Sequence, residues 1–267
     1  MEKVDIILQG PVYEYTHDIA EQYEKLDFVD NVYISTWKHD GYFFYPHHAK
    51  IKYLFFNKPE YHGVRNRNYQ IVGSYKSLLK VNNEFCVRGR TDILYDDASM
   101  WNMYNFYNEY KERVLTYEND PSMPYNRICV PGIYKYYAFH PRDQFFWGNT
   151  KDLIEVFNIP LDEDRDLDGT ENNNILLRSE CFIASKYYAK FDSTMNKYIE
   201  NPLEYLTDSA RYRDEVLECY HKLMTKVFKP FPQKDIDFHW IKYGQRKYNF
   251  TYERMMGQIW HEDDIYS

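Results

Sequence analysis

The chain reads as an α/β protein: a mostly parallel sheet flanked by helices, with a mixed aromatic region at the C-terminal end. Three observations lead there. Short apolar runs and helical patterns alternate as β-α-β-β-α-β at the start, an order that closes into a parallel sheet with helices on its faces. Gln9-Gly10-Pro11 breaks the first apolar run sharply, as a strand-to-loop exit does. At 267 residues and 44% hydrophobic composition, the chain can bury a core of that size.

The elements follow in order. Val4–Leu8 is an apolar strand, and Ile19 and Tyr23 share one helix face between Thr16 and Lys25. Asn31–Thr36 and Ile51–Phe56 are the second and third strands. Ile71, Tyr75, Leu78 and Leu79 recur at helical spacing from Asn68 to Lys80, and Phe85–Arg88 is the fourth strand. Ligands of such sheets bind beyond the carboxyl ends of the strands, so Gln9-Gly10, Thr36-Trp37, Asn57 and Arg90–Asp92 share one rim. The second half is less regular. Arg113–Thr116 and Arg127–Val130 read as strands, Asn149 with Asp152 as a helix start running to Phe157, and Ile175–Lys190 and Asp208–Val227 as helices. Residues 1–200 are taken as the catalytic domain and 201–267 as an extension packed on it.

Charge is distributed unevenly. The whole chain carries a formal charge of -8, yet His62 to Arg90 contains Arg65, Arg67, Lys76, Lys80, Arg88 and Arg90 against Glu84 alone. A basic pocket in an acidic protein suits a phosphorylated ligand and excludes a general nucleic-acid binder, which needs a basic stripe. Cys86, Cys129, Cys181 and Cys219 are widely separated and form no CxxC pair, so buried thiols in a reducing compartment are expected. The start is too charged for a signal peptide, and no apolar run nears the roughly 20 residues that span a bilayer. A soluble, cytoplasmic protein is the expectation. Lys222, Lys226, Lys229 and Lys234, interleaved with Phe228 and Phe231, form either a peripheral membrane contact or a plain amphipathic edge.

Several motifs have a chemical and a plain reading. Asp92 in Arg90-Thr91-Asp92 can ligate a divalent cation, with Asp96 or Asp97 as second ligand, or simply pair with an arginine. Arg88 and Arg90, two apart on a strand, can grip phosphate together. Asn66-Arg67-Asn68-Tyr69-Gln70 sets hydrogen-bonding groups at a helix start, as an anion site or as a cap. Asp143, after His140-Pro141-Arg142, is a general base or a turn residue. Glu180 lies in an apolar helix, either at the edge of its face or buried for a purpose. Asp164–Gly169 imitates the start of an EF-hand, but its twelfth position falls on Ile175, so it is read as a solvated loop. His47-His48 is read as surface, and His239 and His261 as lone histidines that could close over a metal.

Together, Ile7–Pro11, Tyr33–Lys38, Asn66–Ile71 with Ser74 and Leu78, Arg90–Asp92, His140–Gly148 and Glu180 resemble the WavE family of lipopolysaccharide and capsule biosynthesis proteins. The similarity spans about Lys3 to Lys190. Tyr69 stands where the family has Arg, Ser179 where Pro is common, and Arg90 where an Asp-x-Asp motif would begin. The resemblance implies a GT-A-like fold and a glycosyltransferase moving a sugar from a nucleotide-sugar donor to a glycan acceptor. Gln9, Gly10 and Thr36 would line the base and ribose, and Arg67, Asn68 and Arg90 would contact the phosphates or donor sugar. Asp92 would hold Mn²⁺ or Mg²⁺, and Asp143 would deprotonate the acceptor, with Glu180 as its rival. A sugar-phosphate or nucleotidyl transferase and a non-catalytic carbohydrate-binding relative are the competing classes.

Overall fold

The computed structural model describes residues 1–38, 48–117, 128–134, 138–163, 178–200, 202–205, 213–232, 236–241, 246–248 and 259–260. Arg127, the acidic run 164–169, His47, Lys234 and His261 lie outside them, as do the side chains of Lys222 and Lys226.

The first half folds in the expected order: β1 (Val4–Gln9), α1 (Glu14–Glu24), β2 (Val29–Trp37), β3 (Ile51–Phe56), α2 (Arg67–Leu78) and β4 (Phe85–Arg90). After it come β5 (Ile93–Tyr95), α3 (Asp97–Tyr117), β6 (Ile128–Val130), β7 (Ile133–Tyr134), β8 (Phe145–Asn149), α4 (Thr150–Phe157) and α5 (Ser179–Tyr188). Among the described residues there follow α6 (Asn196–Glu200), α7 (Asp214–Val227), β9 (Phe228–Pro230), β10 (Phe238–Trp240), β11 (Arg246–Tyr248) and β12 (Ile259–Trp260).

A seven-stranded sheet in the order β3-β2-β1-β4-β8-β6-β9 forms the centre, with β8 alone reversed. This is the α/β, mostly parallel sheet flanked by helices that the sequence predicts. All six residues of β1 are buried, because this strand pairs with β2 and β4 and is covered on both faces. Alternation along the strands feeds two cores. Ile6, Leu8, Ile34, Val87 and Trp147 pack toward α1 and α3, whereas Ile7, Tyr33, Cys86 and Phe146 pack toward α2, α4 and α5.

Three elements differ from expectation. Arg113–Thr116 belongs to the end of α3 rather than to a strand. Met100, Met103, Tyr104, Tyr107 and Tyr110 are buried at helical spacing, and this stripe against the sheet overrides the β-branched character of the last turn. The region beyond 201 supplies β9, a strand of the central sheet, while β10 pairs with β5 and β12 with β7. Lys229 is 1% exposed in β9, its ammonium 5.5 Å from the Tyr110 ring centre, so it faces the protein and no membrane. No helix among the described residues is long and apolar enough to cross a bilayer.

Candidate active site: a cation-lined cleft at the strand ends

A cleft of about 710 Å³ opens at the carboxyl ends of β1, β2 and β4. Five basic residues line it (Lys58, Arg65, Arg88, Arg90, Arg178) against three carboxylates (Asp92, Asp143, Glu180), the reverse of the chain's overall balance. Tyr13, Trp37 and Tyr69 add aromatic wall. The Trp37 and Tyr69 rings lie 5.3 Å apart.

Backbone geometry brings these groups in. Gly10 leaves β1 at φ +149°, and a Cβ there would stand 2.6 Å from Thr91 Oγ1, so only glycine lets the first loop close on the turn after β4. Ahead of α2, Gly63 (φ +71°), Arg65 (φ +52°) and Asn66 (φ +62°) all have left-handed backbone. For Arg65 and Asn66 that conformation costs energy, and both line the cleft; such strain concentrates at functional sites. Asn66 therefore makes no side-chain cap, contrary to one of its readings.

Behind the cleft, Arg88 is 1% exposed and uses three nitrogens within the protein: Nε donates to Ser74 Oγ (3.0 Å), Nη1 to the Asp143 carbonyl (2.8 Å) and Nη2 to Gln9 Oε1 (2.9 Å). Burial lowers its pKa to about 10, opposed by the neighbouring Asp143 carboxylate. It thus ties β1, α2 and the turn before β8 together, so it is a scaffold rather than half of a phosphate grip. Arg90 makes a two-pronged pair with Asp92, Nε to Oδ1 at 2.9 Å and Nη2 to Oδ2 at 3.0 Å, and its Nη1 lies 3.8 Å from Asp143 Oδ2.

Asp143 is 4% exposed, and its Oδ2 accepts from Gln70 Nε2 at 2.6 Å. Burial raises its pKa above the ordinary carboxylate value, with Glu180 adding to the rise and Arg90, Arg88 and the Gln70 bond opposing it. Next to it, burial holds His140 neutral with a pKa lowered to about 3, so its Nε2 accepts from Arg178 Nη1 at 3.2 Å and fixes that guanidinium.

The cleft gathers Gln9, Gly10, Arg90, Asp92, Asp143 and Glu180 from the residues expected in the site. Thr36, Arg67 and Asn68 are outside its lining. Thr36 follows Ser35 on β2 and so faces away from α2, toward α1. Arg67 is 4% exposed, with Nε 3.3 Å from Asp162 Oδ2 and its guanidinium over the Phe182 ring. Asn68 exchanges two hydrogen bonds of 2.8 Å with the Asp162 backbone. Both fasten α2 to the segment after α4. The cations facing the cleft are instead Arg65, Lys58 and Arg178. Arg65 was visible in the basic run, whereas Lys58 and Arg178 carry no local signal.

The divalent cation expected at Asp92 does not fit this donor set. Both Asp92 oxygens accept from Arg90, Asp96 Oδ1 accepts from Ser99 N (2.7 Å), and Asp97 Oδ1 accepts from Gln22 Nε2 (2.8 Å). Hard cations need several oxygens turned to one point, and neither Asp96 nor Asp97 reaches the cleft.

No family model matches the chain, and no curated protein matches it, so the WavE resemblance stands on its short motifs alone. Solved structures similar to it include HddC from Yersinia pseudotuberculosis, at 10% identity and TM-score 0.30, covering 58% of this chain and 80% of that one. TarS from S. aureus is similar at 12% identity and TM-score 0.38, over 71% of this chain and 34% of TarS. Likeness at this level carries no argument about activity.

Proposed function

We propose that the chain is a glycosyltransferase that moves a sugar from a nucleotide-diphosphate sugar to a glycan hydroxyl. The observation that carries this reading is the cleft itself: a surplus of cations around a buried carboxylate of raised pKa, at the rim where parallel sheets bind nucleotides. A diphosphate brings the negative charge that Lys58, Arg65 and Arg178 neutralise, and Trp37, Tyr69 and Tyr13 offer faces to the base or sugar. The bond from the anomeric carbon to the diphosphate oxygen breaks, and its electron pair leaves with the nucleoside diphosphate. These cations stabilise that leaving charge. The acceptor oxygen bonds to the anomeric carbon while its proton passes to Asp143, or to Glu180 beside it.

Charge neutralisation by arginine and lysine replaces the metal in this proposal, because Arg90 already occupies Asp92. The WavE-like motifs make a surface-polysaccharide or lipopolysaccharide acceptor the class to try first. The test is incubation of the purified protein with a panel of nucleotide sugars and oligosaccharide acceptors, reading the nucleotide product. Release of nucleoside diphosphate with acceptor-dependent sugar transfer supports the reading. Release of pyrophosphate from a nucleotide and a sugar phosphate overturns it in favour of nucleotidyl transfer, and binding without turnover assigns a carbohydrate-binding role.

A further inference from the structure

Outside the cleft lining, α1 and the residues leading into β3 bring two histidines and a glutamate together. His17 and Glu21 stand one turn apart on α1, and His48 arrives three residues before β3. Glu21 Oε1 lies 3.2 Å from His17 Nε2 and 3.3 Å from His48 Nε2, and the three ligand atoms fall within 4.8 Å of one another. We propose that His17, Glu21 and His48 form a binding site for one transition-metal cation of the zinc type, which fastens α1 to the edge strand β3.

The geometry suits that ion. Zinc takes nitrogen and oxygen ligands tetrahedrally at about 2.0–2.2 Å, so neighbouring ligand atoms in its shell stand roughly 3.3 Å apart. The two separations from Glu21 Oε1 already have that value. Both rings present Nε2 to the shared Glu21 oxygen, and both have Nδ1 engaged elsewhere: His17 with Tyr53 Oη at 3.1 Å, His48 with Glu24 Oε1 at 3.1 Å. A partner on the second ring nitrogen is the arrangement that orients metal-binding histidines and keeps the proton off the ligating nitrogen. His17 is 5% exposed. Glu21 and His48 are partly exposed, with side-chain exposures of 33% and 24%, so an ion can enter from solvent. His48, read from sequence as a surface residue, is thus part of a tertiary cluster; its partners are 27 and 31 positions upstream, a separation no short motif records.

This inference is independent of the transferase reading. The test is zinc titration by calorimetry of the full chain, stripped with a chelator and dialysed, with Co²⁺ absorption as a second readout. The expected result is one Zn²⁺ per chain and the intense visible bands of four-coordinate Co²⁺. His48→Ala and Glu21→Gln, both at partly exposed positions, should each weaken zinc binding by about 100-fold or more, beyond the roughly 10–100-fold typical of losing an outer-shell partner. Circular dichroism establishes that both variants are folded. The proposal is overturned if the wild type binds no stoichiometric zinc, or if the folded variants bind it as the wild type does.

Discussion

Asp92 and Asp143 are the same residue type, are buried to similar degrees, and border the same guanidinium of Arg90. Their surroundings nevertheless give them opposite characters. Asp92 has both oxygens fixed by Arg90 across a two-residue turn, an arrangement that holds a backbone. Asp143 receives one neutral hydrogen bond from Gln70, faces Glu180, and has its ionisation disfavoured by burial. A carboxylate that is fully paired is structural, whereas one that is buried, incompletely compensated and open to a cleft is suited to proton transfer.

The largest expected effect breaks that contrast at its reactive member. Asp143→Asn should lower turnover by about 10²-fold or more, the range of a lost general base. Its stability should move the other way. A carboxyl whose folded pKa is raised is favoured below its unfolded pKa, and that advantage is lost as pH rises through the folded pKa. At pH 7 the asparagine variant should therefore melt no lower than the wild type, and the gap should close in acid. Thermal melts across pH give the sign.

Next come the cations of the cleft. Arg178→Ala and Arg65→Ala should each raise the donor KM by roughly 10–100-fold, matching about 1.5–3 kcal/mol for a hydrogen bond to a charged group. Added salt should weaken donor binding in the wild type more than in either variant. Asp92→Asn follows. It should cost about 1–2 kcal/mol in denaturant melts, a buried-pair loss discounted because Arg90 keeps 28% side-chain exposure. Added Mn²⁺ or Mg²⁺ should leave turnover of the wild type unchanged; metal-dependent turnover that Asp92→Asn abolishes would restore the metal role for this residue.

The smallest effect sharpens the comparison. Gln70→Leu removes a bond that lowers the Asp143 pKa, so the acid limb of kcat/KM should shift to higher pH with little change in the plateau. An unmoved limb would assign the base to Glu180.

Much of the first half is legible without coordinates. Strand β1 announces itself because a strand buried on both faces must be a nearly continuous apolar run, and the parallel order of β1 and β4 then fixes the rim where Gln9, Gly10, Arg90 and Asp92 lie. Asn149 is a visible helix cap, and its side chain accepts from Lys151 N at 3.0 Å. Helix α3 escaped because its buried stripe is built from tyrosine and methionine, residues whose polarity and flexibility blur the pattern.

What the sequence by itself determined is therefore the first four strands, their alternation with helices and the edge that would bind a ligand, since these follow from local periodicity and chain connectivity. Tertiary structure alone decided which polar groups face that edge. Strand parity turned Thr36 away, the segment after α4 claimed Arg67 and Asn68, and α5 delivered Arg178. It also decided that Asp92 is bound to Arg90 and that His48 meets His17 and Glu21. Side-chain direction and pairing depend on contacts between residues distant in the chain, and a local pattern carries no record of those contacts.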